Sequence, residues 1–218
     1  MLDVDLQLGA VRGDVPWRLV VPDVELDLGI SRTVELDVDG AYAIAGTDDG
    51  RFTLDHPAPD NIWLAAKLGL YDSRETGATT AWAMGVQLGP KVPLAPEAHG
   101  VGYEALVLVG RTWGASHLVL NLGAIVDPGA QISTQRPAGL EGGVDLDLAL
   151  GQSAFSLTGE LGGVRFFSAD PHQLHATAGV TWAANDKLDI SAIGLIGLLS
   201  GGDQRGILLG ISPKFVVW

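Results

Sequence analysis

Residues 2–8 of the chain read LDVDLQL, an unbroken alternation of apolar and polar side chains. In an extended strand, successive side chains point to opposite faces, so the leucines and valine share one face and the aspartates and glutamine share the other. The same alternation recurs as DVELDLGI at 23–30 and as TVELDVDG at 33–40. A period of two, repeated over three segments, predicts β-strands with one apolar and one polar face.

The alternation continues to the end of the chain, with more small residues, and helical periodicity is almost absent. Further strands are predicted at 61–71, 78–89, 101–110, 115–127, 143–151, 153–166, 173–184, 187–199 and 204–218. With the three N-terminal segments they make about twelve strands. We therefore expect a single all-β domain over residues 1–218.

The connections between these strands differ in length in a regular way. Predicted strands 2, 4, 6, 8 and 10 are followed by short segments such as TWG and AND. Strands 3, 5 and 7 are followed by long ones, at 46–60, 91–100 and 128–142, and the remaining connections are intermediate. Long and short connections at opposite ends of an antiparallel up-and-down meander are typical of transmembrane β-barrels.

Composition excludes several classes of partner and site. The chain has 26 acidic and 13 basic residues and a formal net charge of −13, which argues against nucleic acid or anionic lipid as a partner. It has no cysteine, so it forms no disulfide and no thiolate metal site. No basic n-region or apolar h-region follows Met1, which predicts no signal peptide, as in a mature or re-engineered chain.

Alternation alone fits two opposite arrangements: a soluble barrel or sandwich with its apolar face inside, and a membrane barrel with that face outside. Three features favour the membrane barrel. The polar face is rich in Gly, Ala, Ser and Thr, and the strands approach the roughly 10 residues that cross a bilayer at a tilt. Aromatic residues also fall near strand ends, where interfacial girdles form. These residues are Trp17, Trp63, Tyr71, Tyr103, Trp113, Phe166, Phe167 and Trp218.

On this pattern the sequence resembles the bacterial outer-membrane β-barrel superfamily, and its porin-like members in particular. The resemblance covers the whole chain and includes the last segment, GILLGISPKFVVW at 206–218, because many members end in a strand with a terminal aromatic residue that the barrel-assembly machinery reads. Trp218 departs from that pattern, since it shares its parity with Lys214 rather than Phe215; a bulge at Pro213 would restore the phase. The resemblance implies an antiparallel up-and-down transmembrane β-barrel in the bacterial outer membrane, in contact with the lipid bilayer, whose last strand pairs with the first.

If the apolar face meets lipid, the polar face lines the interior. The residues expected to line a pore are Asp3, Asp5, Glu25, Asp27, Glu35, Asp37, Asp39, Lys67, His117, Asn121, Asp145, Asp147, Glu160, His175 and Asp189. Clustered carboxylates attract cations and repel anions. We therefore expect a pore that passes small solutes by diffusion and favours cations. The alternative explanation is that these side chains are merely solvated or paired.

Other chemistry has little support in the sequence. Ser116 and His117 point to opposite faces of one strand, so no nucleophile–base pair is formed and no enzyme is expected. The D-x-D spacings follow from strand alternation, so no metal is expected either, and no cofactor motif is present.

Twelve strands lie between the eight of a filled barrel and the sixteen of an open one, so both an open and a plugged interior fit. Two further alternatives stay open. One is a non-conducting structural or interaction barrel that acts through its longer loops. The other is a soluble β-barrel that binds an apolar ligand.

Overall fold

The fold is described from a computed structural model, which describes residues 2–13, 17–46, 52–73, 80–95, 98, 100–128 and 138–215. Its strands are β1 (Leu2–Arg12), β2 (Arg18–Gly29), β3 (Val34–Gly46), β4 (Phe52–Pro59), β5 (Ile62–Asp72), β6 (Thr80–Val92), β7 (Gly102–Trp113), β8 (Ser116–Val126), β9 (Ala138–Ala149), β10 (Phe155–Phe166), β11 (Gln173–Asn185), β12 (Leu188–Gly197) and β13 (Arg205–Phe215). In this part of the chain no helix is long and apolar enough to cross a membrane.

The strands form one closed antiparallel barrel. Each strand from β5 to β13 pairs with the next, β13 pairs with β1, and β1, β2 and β3 continue the sheet back to β5. The ring has twelve positions because β4 and β5 follow one another along the same side of β3: Tyr42 is opposite Pro59 of β4, and Asp39 is opposite Trp63 of β5. The prediction of an antiparallel up-and-down barrel of about twelve strands is confirmed.

Two local expectations are wrong, and the bulge considered at Pro213 is absent. The segment 46–60, expected to be a loop, contains β4, and β9 begins at Ala138, inside the expected loop 128–142. No bulge occurs at Pro213, because the pairing of β13 with β12 runs without a shift from Ile196↔Arg205 to Leu188↔Pro213. The expectation for Trp218 lies outside the described residues.

The apolar faces of the strands point away from the barrel axis. Large apolar side chains are exposed on almost every strand, and Leu122, Ile207 and Leu209 are 66%, 65% and 60% exposed. A continuous apolar surface of this extent is far larger than the patches on soluble monomers, and it calls for an apolar surrounding. Within the described ranges, the buried apolar side chains are few and lie mostly at one end of the interior.

The two ends of the barrel differ. One end carries the connections 30–33, 73–79, 114–115, 150–154 and 186–187, and we call it the short-turn end. The opposite end carries 13–17, 47–51, 93–101, 127–137, 167–172 and 198–204, and we call it the long-connection end. Gly114 and Gly151 close two short turns with φ of 58° and 65°, a left-handed conformation that glycine adopts without steric cost.

Candidate functional site

Strand register brings the carboxylates of β1, β2 and β3 side by side on the inner face. Asp5 is opposite Glu25, and Glu25 is opposite Asp39, so these three form one row across three strands. Like charges directly opposite in a sheet repel one another. A row of this kind therefore depends on compensating cations and on water in the interior.

Lys67 of β5 supplies such compensation on this side of the barrel. Its Nζ donates a hydrogen bond to Asp27 at 2.8 Å and lies 3.1 Å from Glu35 and 3.4 Å from Asp37. The side chain of Gln87 also donates to Asp37 at 3.5 Å. The position of Lys67 beside these carboxylates results from the strand register, because Lys67 is opposite Glu35 in the pairing of β3 with β5.

The inner faces enclose a cavity of about 500 Å³. Eight of the residues expected from the sequence line it: Asp5, Glu25, Asp37, Asp39, Lys67, Asn121, Glu160 and His175. Asn121 donates a hydrogen bond to Asp145 at 3.2 Å, and Glu160 lies 3.2 Å from the ring of His175. Residues of strands between β1 and β11 are thus brought together around one space.

The other expected residues lie near this cavity or nearer the short-turn end. Asp27 and Glu35 contact Lys67, and Asp3 is opposite Asp27 in the sheet. Asp189 accepts a hydrogen bond from Lys214 at 2.5 Å. His117 and Asp147 are opposite one another in the pairing of β8 with β9. It stays a prediction that all fifteen residues line a pore.

Several charged residues of the cavity were not identified from the sequence. They are Asp23, Lys91, Glu104, Asp127 and Glu141. Four of them, Lys91, Glu104, Asp127 and Glu141, are isolated polar residues in segments of apolar or small residues. Asp23 opens the alternating run 23–30 but was not among the residues expected to line a pore. Glu104 and Glu141 lie on β7 and β9, and their carboxyl groups are hydrogen-bonded to one another. Lys91 lies 3.3 Å from Asp127.

Carboxylates dominate the lining. The cavity has nine acidic residues, Asp5, Asp23, Glu25, Asp37, Asp39, Glu104, Asp127, Glu141 and Glu160, and two lysines, Lys67 and Lys91. A confined space with this charge balance has a negative potential, because low-dielectric walls focus the field of the charges into it.

Two aromatic residues expected in the interfacial girdle lie inside the barrel. Trp63 and Phe166 line the cavity, and Phe166 is only 7% exposed. Trp63 shares its parity with Lys67 on β5, so its inward direction was readable from the sequence. Tyr71 and Tyr103 are exposed, as a girdle requires. Outward-facing aromatics that were not singled out include a stacked pair on β10 and β11, Phe155 and Trp182, with ring centroids 6.3 Å apart.

One trio of side chains has the composition of a cation site. Carboxylate oxygens of Glu25, Asp27 and Asp37 lie within 4.8 Å of one another. The ammonium group of Lys67 already lies beside two of them.

The hydroxyl of Ser116, the nearest candidate nucleophile to His117 in sequence, is buried and accepts a hydrogen bond from the backbone N–H of Ala149 at 3.0 Å.

No protein-family model matches the sequence, and no curated protein matches it either. Solved structures of bacterial barrels do match over nearly the whole chain. A NanC porin has a TM-score of 0.69 at 8% identity, with 97% of this chain and 100% of that chain covered. An outer-membrane channel from Pseudomonas putida F1 has a TM-score of 0.63 at 11% identity, with 98% and 95% covered.

The translocator domain of the autotransporter NalP from Neisseria meningitidis is also similar, with a TM-score of 0.52 at 13% identity and 98% and 88% covered. At these identities the likeness concerns the fold and leaves the activity open. The chain therefore has the fold of the outer-membrane β-barrels.

Proposed function

We propose that this chain is an outer-membrane pore through which small solutes diffuse, and that its acidic interior favours cations. The observation that carries the proposal is the row of carboxylates on β1, β2 and β3, which faces a cavity with nine acidic residues and two lysines. Fixed charges inside a narrow passage select ions of the opposite sign. The apolar outer face supports a place in a bilayer.

The fold supports the same proposal. A porin and an outer-membrane channel are among the similar structures, and barrels of this type have polar interiors and apolar exteriors. We further propose that the last strand, β13, is the segment that the barrel-assembly machinery recognises, since it closes the ring against β1.

Reversal potentials in a KCl gradient across planar bilayers test the selectivity. Protein refolded in detergent is expected to give discrete current steps. The sign of its reversal potential is expected to show that potassium permeates more readily than chloride. The triple variant Asp5→Asn, Glu25→Gln, Asp39→Asn removes the charges of one row with little change in volume. We expect it to lower the potassium-to-chloride permeability ratio by about threefold or more.

The matched control neutralises acidic residues outside the barrel wall. Asp170 lies in the connection 167–172 and Asp186 in the turn 186–187, and the double variant Asp170→Asn, Asp186→Asn should keep most of the selectivity. A permeability ratio that does not change in the triple variant would refute the role of the row. A refolded barrel that gives no steps at all would support the alternative of a non-conducting structural or interaction barrel.

A further inference from the structure

An apolar cluster occupies part of the barrel interior. Ile125 of β8 and Val164 and Phe166 of β10 are 5%, 9% and 7% exposed and form one buried cluster. Trp63 of β5 packs against this cluster. Because β6 and β7 lie between β5 and β8 in the sheet, Trp63 makes this contact across the interior and not along the barrel wall.

The cluster sits at the long-connection end. Trp63 is opposite Lys91, the next-to-last residue of β6, Ile125 is the next-to-last residue of β8, and Phe166 is the last residue of β10. Two further buried apolar residues, Val11 and Val20, lie at the same end of β1 and β2. This end of the interior therefore has apolar side chains on several strands, and the charged groups of Glu104, Glu141, Lys91 and Asp127 lie beside them.

Two carboxylates of the cavity, those of Asp5 and Asp37, lie deeper, while Asp39 of the row is opposite Trp63. Asp5 and Asp37 are the fourth residues of β1 and β3, and both strands begin at the short-turn end. Near the cluster, Lys91 has its Nζ 5.3 Å from the centroid of the Trp63 ring, a cation–π contact that favours the inward position of the indole. An ion that leaves the acidic part of the cavity toward the long-connection end must pass these apolar side chains.

Bulky apolar side chains narrow a passage and offer a hydrated ion no polar partner of their own, which makes apolar constrictions barriers to ions. We propose that Trp63, Ile125, Val164 and Phe166 form a constriction that limits the passage of hydrated ions between the acidic cavity and the long-connection end. The proposal rests on the pore function proposed above and assigns the residues that set its rate.

Single-channel conductance tests the constriction directly. Trp63→Ala widens it, and Val164→Thr makes it more polar at almost constant volume, so a variant is available if one of the two does not refold. Both are expected to raise the conductance at least about twofold. The matched control is Trp82→Ala, because Trp82 is 48% exposed on the outer face and also has a cation on its ring, Arg111, at 5.2 Å. Equal conductance in the wild type and in both variants would overturn the constriction.

A chemical measurement separates this proposal from the pore itself. The chain has no cysteine, so Asn121→Cys introduces a single thiol in the cavity, below the cluster. In vesicles with the long connections outside, Trp63→Ala should speed modification by a charged, membrane-impermeant thiol reagent about tenfold. Faster modification without conductance would uphold the constriction and refute the pore. Conductance with equal modification rates would refute the constriction and uphold the pore.

Discussion

Lys67 shows how one residue can stabilise an interior that is otherwise strongly acidic. Its ammonium group contacts Asp27, Glu35 and Asp37, which come from two adjacent strands. Replacement by methionine keeps the length of the side chain and removes the charge. We expect Lys67→Met to lower the free energy of unfolding by about 1–3 kcal/mol, because three neighbouring carboxylates then lack their shared partner. Urea titration of the protein folded in vesicles measures this change, and cation selectivity should rise in the same variant.

Lys214 is the natural control for that prediction. Its Nζ contacts one carboxylate, that of Asp189, and its side chain is 45% exposed. Exposed ion pairs contribute roughly 0–1 kcal/mol, so Lys214→Met should shift the urea midpoint less than Lys67→Met does. Equal midpoints for the wild type and the Lys67 variant would contradict the role given to Lys67.

At the residue scale, the sequence predicts which face of the sheet a side chain occupies better than it predicts which side chains it contacts. Alternation assigned Asp5 and Glu25 to the inner face, and both line the cavity. The same parity applied to Trp63 predicts an inward side chain, but its aromatic type and its place near a strand end favoured the girdle. The hydrogen bond between Glu104 and Glu141 was not predictable, because it depends on how β7, β8 and β9 pair.

At the element scale, the strand β4 was not predicted from the sequence, because its segment contains prolines. Pro57 and Pro59 suggest a loop, because proline lacks the N–H group that a sheet requires. In the described part of the chain β4 pairs with β3 alone and is thus an edge strand. An edge strand tolerates proline where its N–H would face away from the neighbouring strand. The strands with clean alternation, by comparison, were predictable to within a few residues.

Close packing of β7 against β8 gives an element-scale prediction. A Cβ atom at Gly123 of β8 would lie 1.9 Å from the carbonyl oxygen of Ala105 on β7. Gly123→Ala must therefore push the two strands apart, and we expect a loss of about 1–3 kcal/mol in stability, as for other overpacked sites. The measurement is the urea midpoint at an unchanged denaturant slope.

Gly110 provides the comparison on the neighbouring strand. Its nearest atoms would lie 3.8 Å and 3.9 Å from an added Cβ, which is ordinary contact. Gly110→Ala should leave the midpoint nearly unchanged or raise it slightly, because alanine restricts the unfolded chain. If both variants unfold at the same urea concentration as the wild type, β7 and β8 are packed less closely than described.

At the scale of the whole molecule, strand number and closure followed from alternation and connection lengths, while the contents of the interior did not. Twelve strands leave space for either a passage or a packed core. Which of the two forms depends on whether a side chain such as Trp63 packs against the cluster of Ile125, Val164 and Phe166 across the interior. That contact joins residues at least 62 positions apart (125 − 63), and no pattern in a single sequence encodes it.

The orientation of the two faces gives the last prediction, because adjacent residues of β8 sit on opposite sides of the wall. Leu120 is 43% exposed on the outer face, and Asn121 lines the cavity. In a bilayer, Leu120→Arg places a charge in lipid near the middle of a strand, at a cost of about 2–4 kcal/mol. Asn121→Arg places the same charge in the interior, where it should leave folding nearly intact and reduce the preference for cations. Folding yields in vesicles and reversal potentials measure the two effects. A barrel with the described orientation that was surrounded by water and not by lipid would give a different result: Leu120→Arg would be harmless in buffer without detergent, and no current would depend on Asn121.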